Sequence, residues 1–272
     1  MLVHYVNVFS QDSLSGNPVA VVHTDKELSY EKMLKLTQWF NLSETTFVST
    51  STSGDANYHV RIFTPFEELK FAGHPTIGTA VSWIAATNYT GTTLVQSCGA
   101  GNIPIELRDG FVYFDGPPVS SEPIDTDALK GICAGLSISE DSVVDRIHLN
   151  NGPSFDVLLL KSVDQVLQIT PDYSTLFRNQ ELTGVAVCAA RSDNELEIRH
   201  FVGFKVEDPI TGSLNAAIAP WLIDNKIMPR NYTVYQGRCL GRDGVVRVSY
   251  QEDGVVKIGG QAQIVLKGEI DI

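Results

Sequence analysis

Basic side chains are in short supply. Twenty Lys and Arg face 32 Asp and Glu, a formal charge of −12 over 272 residues. Nucleic-acid backbones are held by basic faces, so this balance argues against such a partner. Cysteine is also scarce: Cys98, Cys133, Cys188 and Cys239 stand far apart, with no C-x-x-C pair and no histidine at metal-ligand spacing. They read as reduced thiols of a cytoplasmic protein, with no metal expected. Long apolar runs are missing, and even the stretch from Gly184 to Ala190 falls far short of the roughly 20 residues of a membrane helix. The first nine residues alternate like a strand, without the basic flank and apolar block of a signal peptide. The chain lacks a Walker loop, a G-x-S-x-G elbow and a complete G-x-G-x-x-G, of which Gly99-Ala100-Gly101 is a fragment. No nucleotide or flavin cofactor is expected.

What is present describes a globular chain, 43% hydrophobic and long enough for two domains. Strands are expected at 3–9 and 18–22, the second entered through the turn Ser15-Gly16-Asn17-Pro18. Ser29 should cap a helix running to about Phe40 and stopped by Asn41. A strand at 42–49 carries Glu44 near its start, and another covers 58–63. The segment 76–86 reads as a buried helix, and Arg108-Asp109-Gly110 as a hairpin turn between strands at 103–107 and 111–114. The proline-bearing stretch 117–126 reads as a linker. Beyond it come a helix at 127–135, strands at 157–160 and 184–190, a helix starting near Asp208, and strands around 245–250, 255–258 and 263–267. The expected division is 1–117 and 118–262, with the strand near 263–272 free to cross back.

Two segments of the chain echo one another. His74-Pro75 with Gly78-Thr79 matches Asp208-Pro209 with Gly212-Ser213, 134 positions on, and each opens an apolar helix carrying a tryptophan (Trp83, Trp221). Asp109-Gly110 and the strand after it match Asp253-Gly254 and theirs, 144 positions on. Two matches in the same order point to duplication.

Proline suits a helix's first position, which makes His74 and Asp208 the expected N-caps. Small residues in the first turn leave its N–H groups open to a carboxylate or phosphate. Such local dipoles would let an acidic protein bind an anionic metabolite. Asp-Pro at a helix start is mostly structural, and Thr79 and Ser213 also fit as packing residues. His74 is a poor cap, which turns attention to its chemistry. Glu44, among Leu42, Ser43, Thr45, Thr46 and Phe47, is either an exposed strand-end carboxylate or a partly desolvated group suited to moving protons.

These motifs together resemble the phenazine-biosynthesis PhzF-like family: Ser15-Gly16-Asn17-Pro18, Leu42-Ser43-Glu44-Thr45-Thr46-Phe47, Phe71-Ala72-Gly73-His74-Pro75, Glu207-Asp208-Pro209 with Gly212-Ser213, and Gly259-Gly260. The resemblance implies an α+β, diaminopimelate epimerase-like fold of two pseudo-symmetric domains, each a curled mainly antiparallel sheet wrapped around a central helix, with the site between them. It implies a cofactor-free isomerase in which Glu44 carries a proton from one carbon to another, assisted by the catalytic candidates His74 and Asp208. Gly73, Gly212 and Ser213 become the substrate-binding candidates. Racemases of the same superfamily use two thiols, and here no cysteine lies in either motif. Asn215 and Pro220 follow Ser213, Asn215 where the helix would line the cleft and Pro220 where it should kink or stop the helix. The partners expected are a small anionic substrate and, through edge strands, a second copy in a homodimer. Two other readings stand beside the isomerase: a non-catalytic metabolite-binding protein, and an epimerase using Glu44 and Asp208.

Overall fold

The computed structural model describes residues 1–26, 28–51, 54–178, 184–203 and 205–272. The chain divides into two compact units, Met1–Asp115 with Gly259–Ile272, and Gly116–Ile258.

In the first unit, strands β1 (Leu2–Val8) and β2 (Asn17–His23) lead into helix α1 (Tyr30–Phe40). The Ser29 hydroxyl accepts the Lys32 N–H at the start of α1, and Asn41 ends it in the left-handed conformation, one that asparagine tolerates. Strands β3 (Glu44–Thr50), β4 (Tyr58–Phe63) and the two-residue β5 (Glu68–Leu69) follow. Then come helix α2 (Gly73–Thr87) and strands β6 (Thr93–Cys98), β7 (Gly101–Arg108) and β8 (Phe111–Asp115). Asp109 and Gly110, both at positive φ, make the expected hairpin turn between β7 and β8. Met33 and Leu36 of α1 pack with Val3, Val22, Phe47 and Phe63 of the sheet. Helix α2 is apolar or small nearly all round and is buried along most of its length, as a central helix must be. It lies so close to β2 that a Cβ on Gly78 would come within 2.4 Å of Val19.

The second unit holds β9 (Ser120–Glu122), α3 (Thr126–Leu136), β10 (Val143–Asn150), β11 (Ser154–Leu160) and two short helices, α4 (Val163–Gln168) and α5 (Tyr173–Leu176). It continues with β12 (Gly184–Ser192), β13 (Glu195–Val202), β14 (Val206–Asp208) and helix α6 (Gly212–Asp224). Strands β15 (Asn231–Gln236) and β16 (Gly244–Tyr250) follow, β17 (Val256–Gly260) begins in this unit and ends past its last residue, Ile258, and β18 (Ala262–Glu269) belongs to the first unit, paired with β1. Leu129, Ile132 and Leu136 of α3 pack with Val166 and Leu176 on Leu158, Val185 and Phe201. On α6, Leu214, Ala216–Ala219 and Leu222 are buried. Among the described residues no helix is long and apolar enough to cross a membrane.

The pairing scheme of one unit repeats in the other. Strand β2 runs parallel to β3, β3 antiparallel to β4, and β4 parallel to β6, which pairs antiparallel with β7. Strand β11 runs parallel to β12, β12 antiparallel to β13, and β13 parallel to β15, which pairs antiparallel with β16. Each unit is the expected α+β arrangement, a mainly antiparallel sheet around one buried helix.

Several local expectations need correction. Helix α2 begins at Gly73 with Ala72 as N-cap, so His74 and Pro75 lie inside its first turn. Helix α6 begins at Gly212 with Thr211 as N-cap, so Asp208 ends β14 and Pro209 precedes the helix. Neither His74 nor Asp208 is a cap. The proline rule misleads for two reasons: the N–H groups of a whole first turn lack helical acceptors, so Pro75 can sit at the third position of α2, and Pro209 falls ahead of the Thr211 cap, in the turn that leads to α6. The structural repeat sets Gly73 against Gly212, 139 positions apart rather than 134. His74 therefore matches Ser213, not Asp208. The stretch 117–126 is not wholly irregular, since β9 pairs with β10 and Asp125 caps α3. Pro220 does not stop α6, which runs on to Asp224. Its buried neighbours hold the helix together across the one hydrogen bond proline cannot donate.

Candidate active site

Glu44 is the first residue of β3, set against Val19 in the parallel pairing with β2. Side chains two apart on a strand share a face. Thr46 receives a hydrogen bond from Thr79 of α2 (2.9 Å), so the Thr46 face of β3 is the one turned to the helix. Glu44 shares that face, one step nearer the N-terminus of α2. Its Oε2 lies 3.1 Å from His74 Nδ1, with the carboxylate 19% exposed and the imidazole 5%. This is an ion-pair distance without hydrogen-bond alignment, and Oε2 is buried with no hydrogen-bond donor among the described residues. The other ring nitrogen of His74, Nε2, is 3.4 Å from the carbonyl oxygen of Pro18. Both neighbours of the ring are acceptors, so each ring nitrogen has somewhere to direct a hydrogen.

Gly73 opens α2, and a Cβ there would meet Phe114 Cζ at 2.5 Å. Its small size is demanded by packing, whatever its amide binds. Ala72 has no side chain able to cap, and no side-chain bond caps α2. The helix thus presents uncapped first-turn amides, with their partial positive charge, on the turn that carries His74.

In the second unit, Asp208, Gly212 and Ser213 come together around the start of α6. Thr211 is a good capping residue by type, yet its hydroxyl does not cap the helix. Thr211 Oγ1 donates to Asp208 Oδ2 (2.5 Å) instead. Gln236 of β15 holds the turn by donating from Nε2 to the Asp208 carbonyl and to Thr211 Oγ1, both at 3.1 Å, while its Oε1 accepts the Thr211 N–H (3.1 Å). Asn215, expected to line a cleft, is instead fully buried in this network, donating to the Thr211 carbonyl (2.8 Å) and to Gln236 Oε1 (3.3 Å). Gly212 is buried and Ser213 half-buried, its carbonyl accepting from Asn151 (2.8 Å).

Sequence reasoning missed Thr211, Gln236 and His200, whose Nδ1 lies 2.8 Å from Thr211 Oγ1. Thr211 carried a usable signal, as a preferred cap type directly before Gly212. Gln236 and His200 carried none, because only the strand pairing brings them to the turn. Among the described residues, no group of three or more His, Cys, Asp or Glu is arranged to hold a metal ion.

Residues 6–268 match the model of the PhzC-PhzF family, described as phenazine biosynthesis-like protein. Antisense-enhancing sequence 1 of Schizosaccharomyces pombe is 30% identical over 97% of this chain and 96% of its own. The trans-2,3-dihydro-3-hydroxyanthranilate isomerase of Pseudomonas aeruginosa is 31% identical over 87% of this chain and 86% of its own. A PhzF family protein of Enterococcus faecalis superposes with a TM-score of 0.85 at 27% identity, covering 100% of this chain and 99% of that one. A probable proline racemase of Agrobacterium radiobacter shares the fold at a TM-score of 0.67 and 11% identity, covering 100% of this chain and 93% of the other. With the family model spanning nearly its whole length and isomerases among its relatives, the chain belongs to the PhzC-PhzF, phenazine biosynthesis-like family.

Proposed function

We propose that this protein is an isomerase that moves a proton between carbons of a small carboxylate-bearing metabolite by general acid/base catalysis, with Glu44 as the proton carrier. The observation that carries this reading is the Glu44–His74 pair on the uncapped first turn of α2. A general base needs a carboxylate free to take a proton, and Glu44 Oε2 is shielded from water without a donor bonded to it. His74, with acceptors on both sides, orients that carboxylate and exchanges protons with it. The open amides at Gly73 and at Gly212–Ser213 suit anionic substrate groups, which supports a carboxylate-bearing substrate in spite of the net charge of −12. Asp208 is the second proton-handling candidate, and Ser213 a contact to polar substrate groups. This chemistry asks for no cofactor.

The test is incubation with trans-2,3-dihydro-3-hydroxyanthranilate in deuterated water, following ring-hydrogen migration and deuterium uptake by NMR. Wild-type turnover that disappears in Glu44→Gln is the expected result. Full activity in Glu44→Gln removes Glu44 as the carrier. Binding of the compound without any exchange would favour a non-catalytic binding protein. Inversion of a stereocentre that depends on both Glu44 and Asp208 would favour an epimerase.

A further inference from the structure

We infer that His200 and Thr211 are positioning residues for Asp208: the Nδ1–H of His200 and the amide of Gln236 both donate to the Thr211 hydroxyl, which must then give its one hydrogen to the Asp208 carboxylate.

The count of hydrogens around Thr211 fixes the arrangement. A hydroxyl has one hydrogen to donate and two lone pairs to accept with. Around Thr211 Oγ1 stand three partners: Asp208 Oδ2 at 2.5 Å, Gln236 Nε2 at 3.1 Å and His200 Nδ1 at 2.8 Å. The amide nitrogen of Gln236 can only donate, and an ionised Asp208 can only accept. One lone pair remains for His200, which satisfies it with a hydrogen on Nδ1. The far side of the ring agrees. His200 Nε2 is buried with no partner among the described residues. A hydrogen there would be a buried unpaired donor, whereas on Nδ1 it is bonded.

The repeat explains how a histidine comes to occupy this place. Glu44 opens β3 against Val19 of β2, and Gly184 opens β12 against Phe155 of β11, the matching rung. The counterpart of Glu44 therefore has no side chain. His200 fills the space, since a Cβ on Gly184 would lie 2.2 Å from His200 Nε2. The ring packs edge-on against Phe155 and stands across the strands from Asp208. The second unit has glycine in place of a carboxylate on β12 and carries a carboxylate at the end of β14, braced through Thr211 by the ring that fills the space beside Gly184. His200 Nδ1 itself is 3.7 Å from Asp208 Oδ2, while the neighbouring Glu207 is taken up by Arg199.

The consequence for turnover rests on the role proposed above for Asp208, but the bonding arrangement is measurable without substrate. In protein labelled with 15N-histidine and 13C-carboxyl aspartate, NMR at neutral pH should find the His200 hydrogen on Nδ1 and not on Nε2. Removing the donor in Thr211→Val should raise the Asp208 titration midpoint by about one pH unit. Thr211→Ser should keep the wild-type midpoint. His200→Asn, which can still present an N–H to Thr211, should stay close to wild type, whereas His200→Gln, which frees the Thr211 hydroxyl to turn, should shift the midpoint part of the way toward that of Thr211→Val. A hydrogen on Nε2 in the wild type overturns the inference, as does an unmoved Asp208 midpoint in folded Thr211→Val. So does equal behaviour of the two His200 variants. If Thr211→Val fails to fold, the tautomer measurement and the His200 pair decide the matter alone.

Discussion

Glu44 Oε2 and His74 Nδ1 approach to 3.1 Å across the junction of β3 and α2, a strand-end carboxylate held against a buried imidazole. The two should act as a unit. Glu44→Gln should lower turnover by several orders of magnitude with little change in melting temperature. His74→Asn should lower it by about 10²- to 10⁴-fold, the range of one general acid/base group. Because members of one unit are not additive, the double variant should lose little more than Glu44→Gln alone. Multiplicative losses would show that the two side chains act separately.

Gly73 offers a stability test whose sign is decided by competing magnitudes. Alanine is favoured over glycine in a helix by up to about 1 kcal/mol. Here, however, its Cβ would press to 2.5 Å on the ring of Phe114, which is itself fully buried and has no room to retreat. Gly73→Ala should therefore destabilise by about 1–3 kcal/mol in denaturant unfolding. Adding Phe114→Leu should recover part of that loss. A stabilised Gly73→Ala protein would mean the ring yields freely.

Acid should weaken the first unit through His23. Burial, and secondarily the nearby His4, push its pKa down from the ordinary 6.5 to about 4, with Asp25 opposing. Both rings bond the buried Ser82 hydroxyl, at 2.7 Å from His23 and 2.8 Å from His4. Between those two values the unfolded chain binds the proton that folded His23 refuses. Stability is therefore full above about pH 6.5 and falls as pH drops toward 4. In His23→Gln, the decline of melting temperature over this window should be shallower than in the wild type. Equal slopes would place the acid sensitivity elsewhere.

Arg199 and Glu207 form a buried two-pronged ion pair (3.1 and 2.8 Å), and Arg199 also donates to the carbonyls of Val166 (3.1 Å) and Ile169 (2.8 Å). Glu207→Gln strands a buried guanidinium and should destabilise by about 3–5 kcal/mol. Arg199→Met with Glu207→Leu should be milder than Glu207→Gln alone, because it leaves no charge unpaired. Chemical denaturation of the three variants checks the order.

Much of the fold was legible because its signals are local. Ser29 and Asn41 bracket α1 by capping chemistry that depends on a few neighbouring residues, and Asp109-Gly110 makes its turn for the same reason. The starts of α2 and α6 were misread because proline marks the neighbourhood of a helix start without fixing a position: Pro75 lies inside α2 and Pro209 ahead of α6. That five-residue slip paired His74 with Asp208, when the matching residue is Ser213. The environment of Glu44 could not be read from its neighbours in sequence: its shielding comes from α2, thirty residues further on. His200 was invisible for a stronger reason. Its role exists only because β12, β13 and β14 lie side by side and Gly184 leaves a space on the first of them.

The uncapped starts of α2 and α6 have a consequence for local opening. Helices α1 and α3 have their first amides tied to Ser29 and Asp125, whereas Ala72 offers nothing and Thr211 turns its hydroxyl away. A side-chain cap contributes about 1 kcal/mol, and neither central helix has that stabilisation from its own N-cap residue. The amides of Gly73 and His74, and those from Gly212 to Leu214, should then exchange with solvent sooner than the rest of their buried helices. A bound carboxylate that completes the caps should slow them, and the difference in protection would record, amide by amide, where the ligand's charge has come to rest.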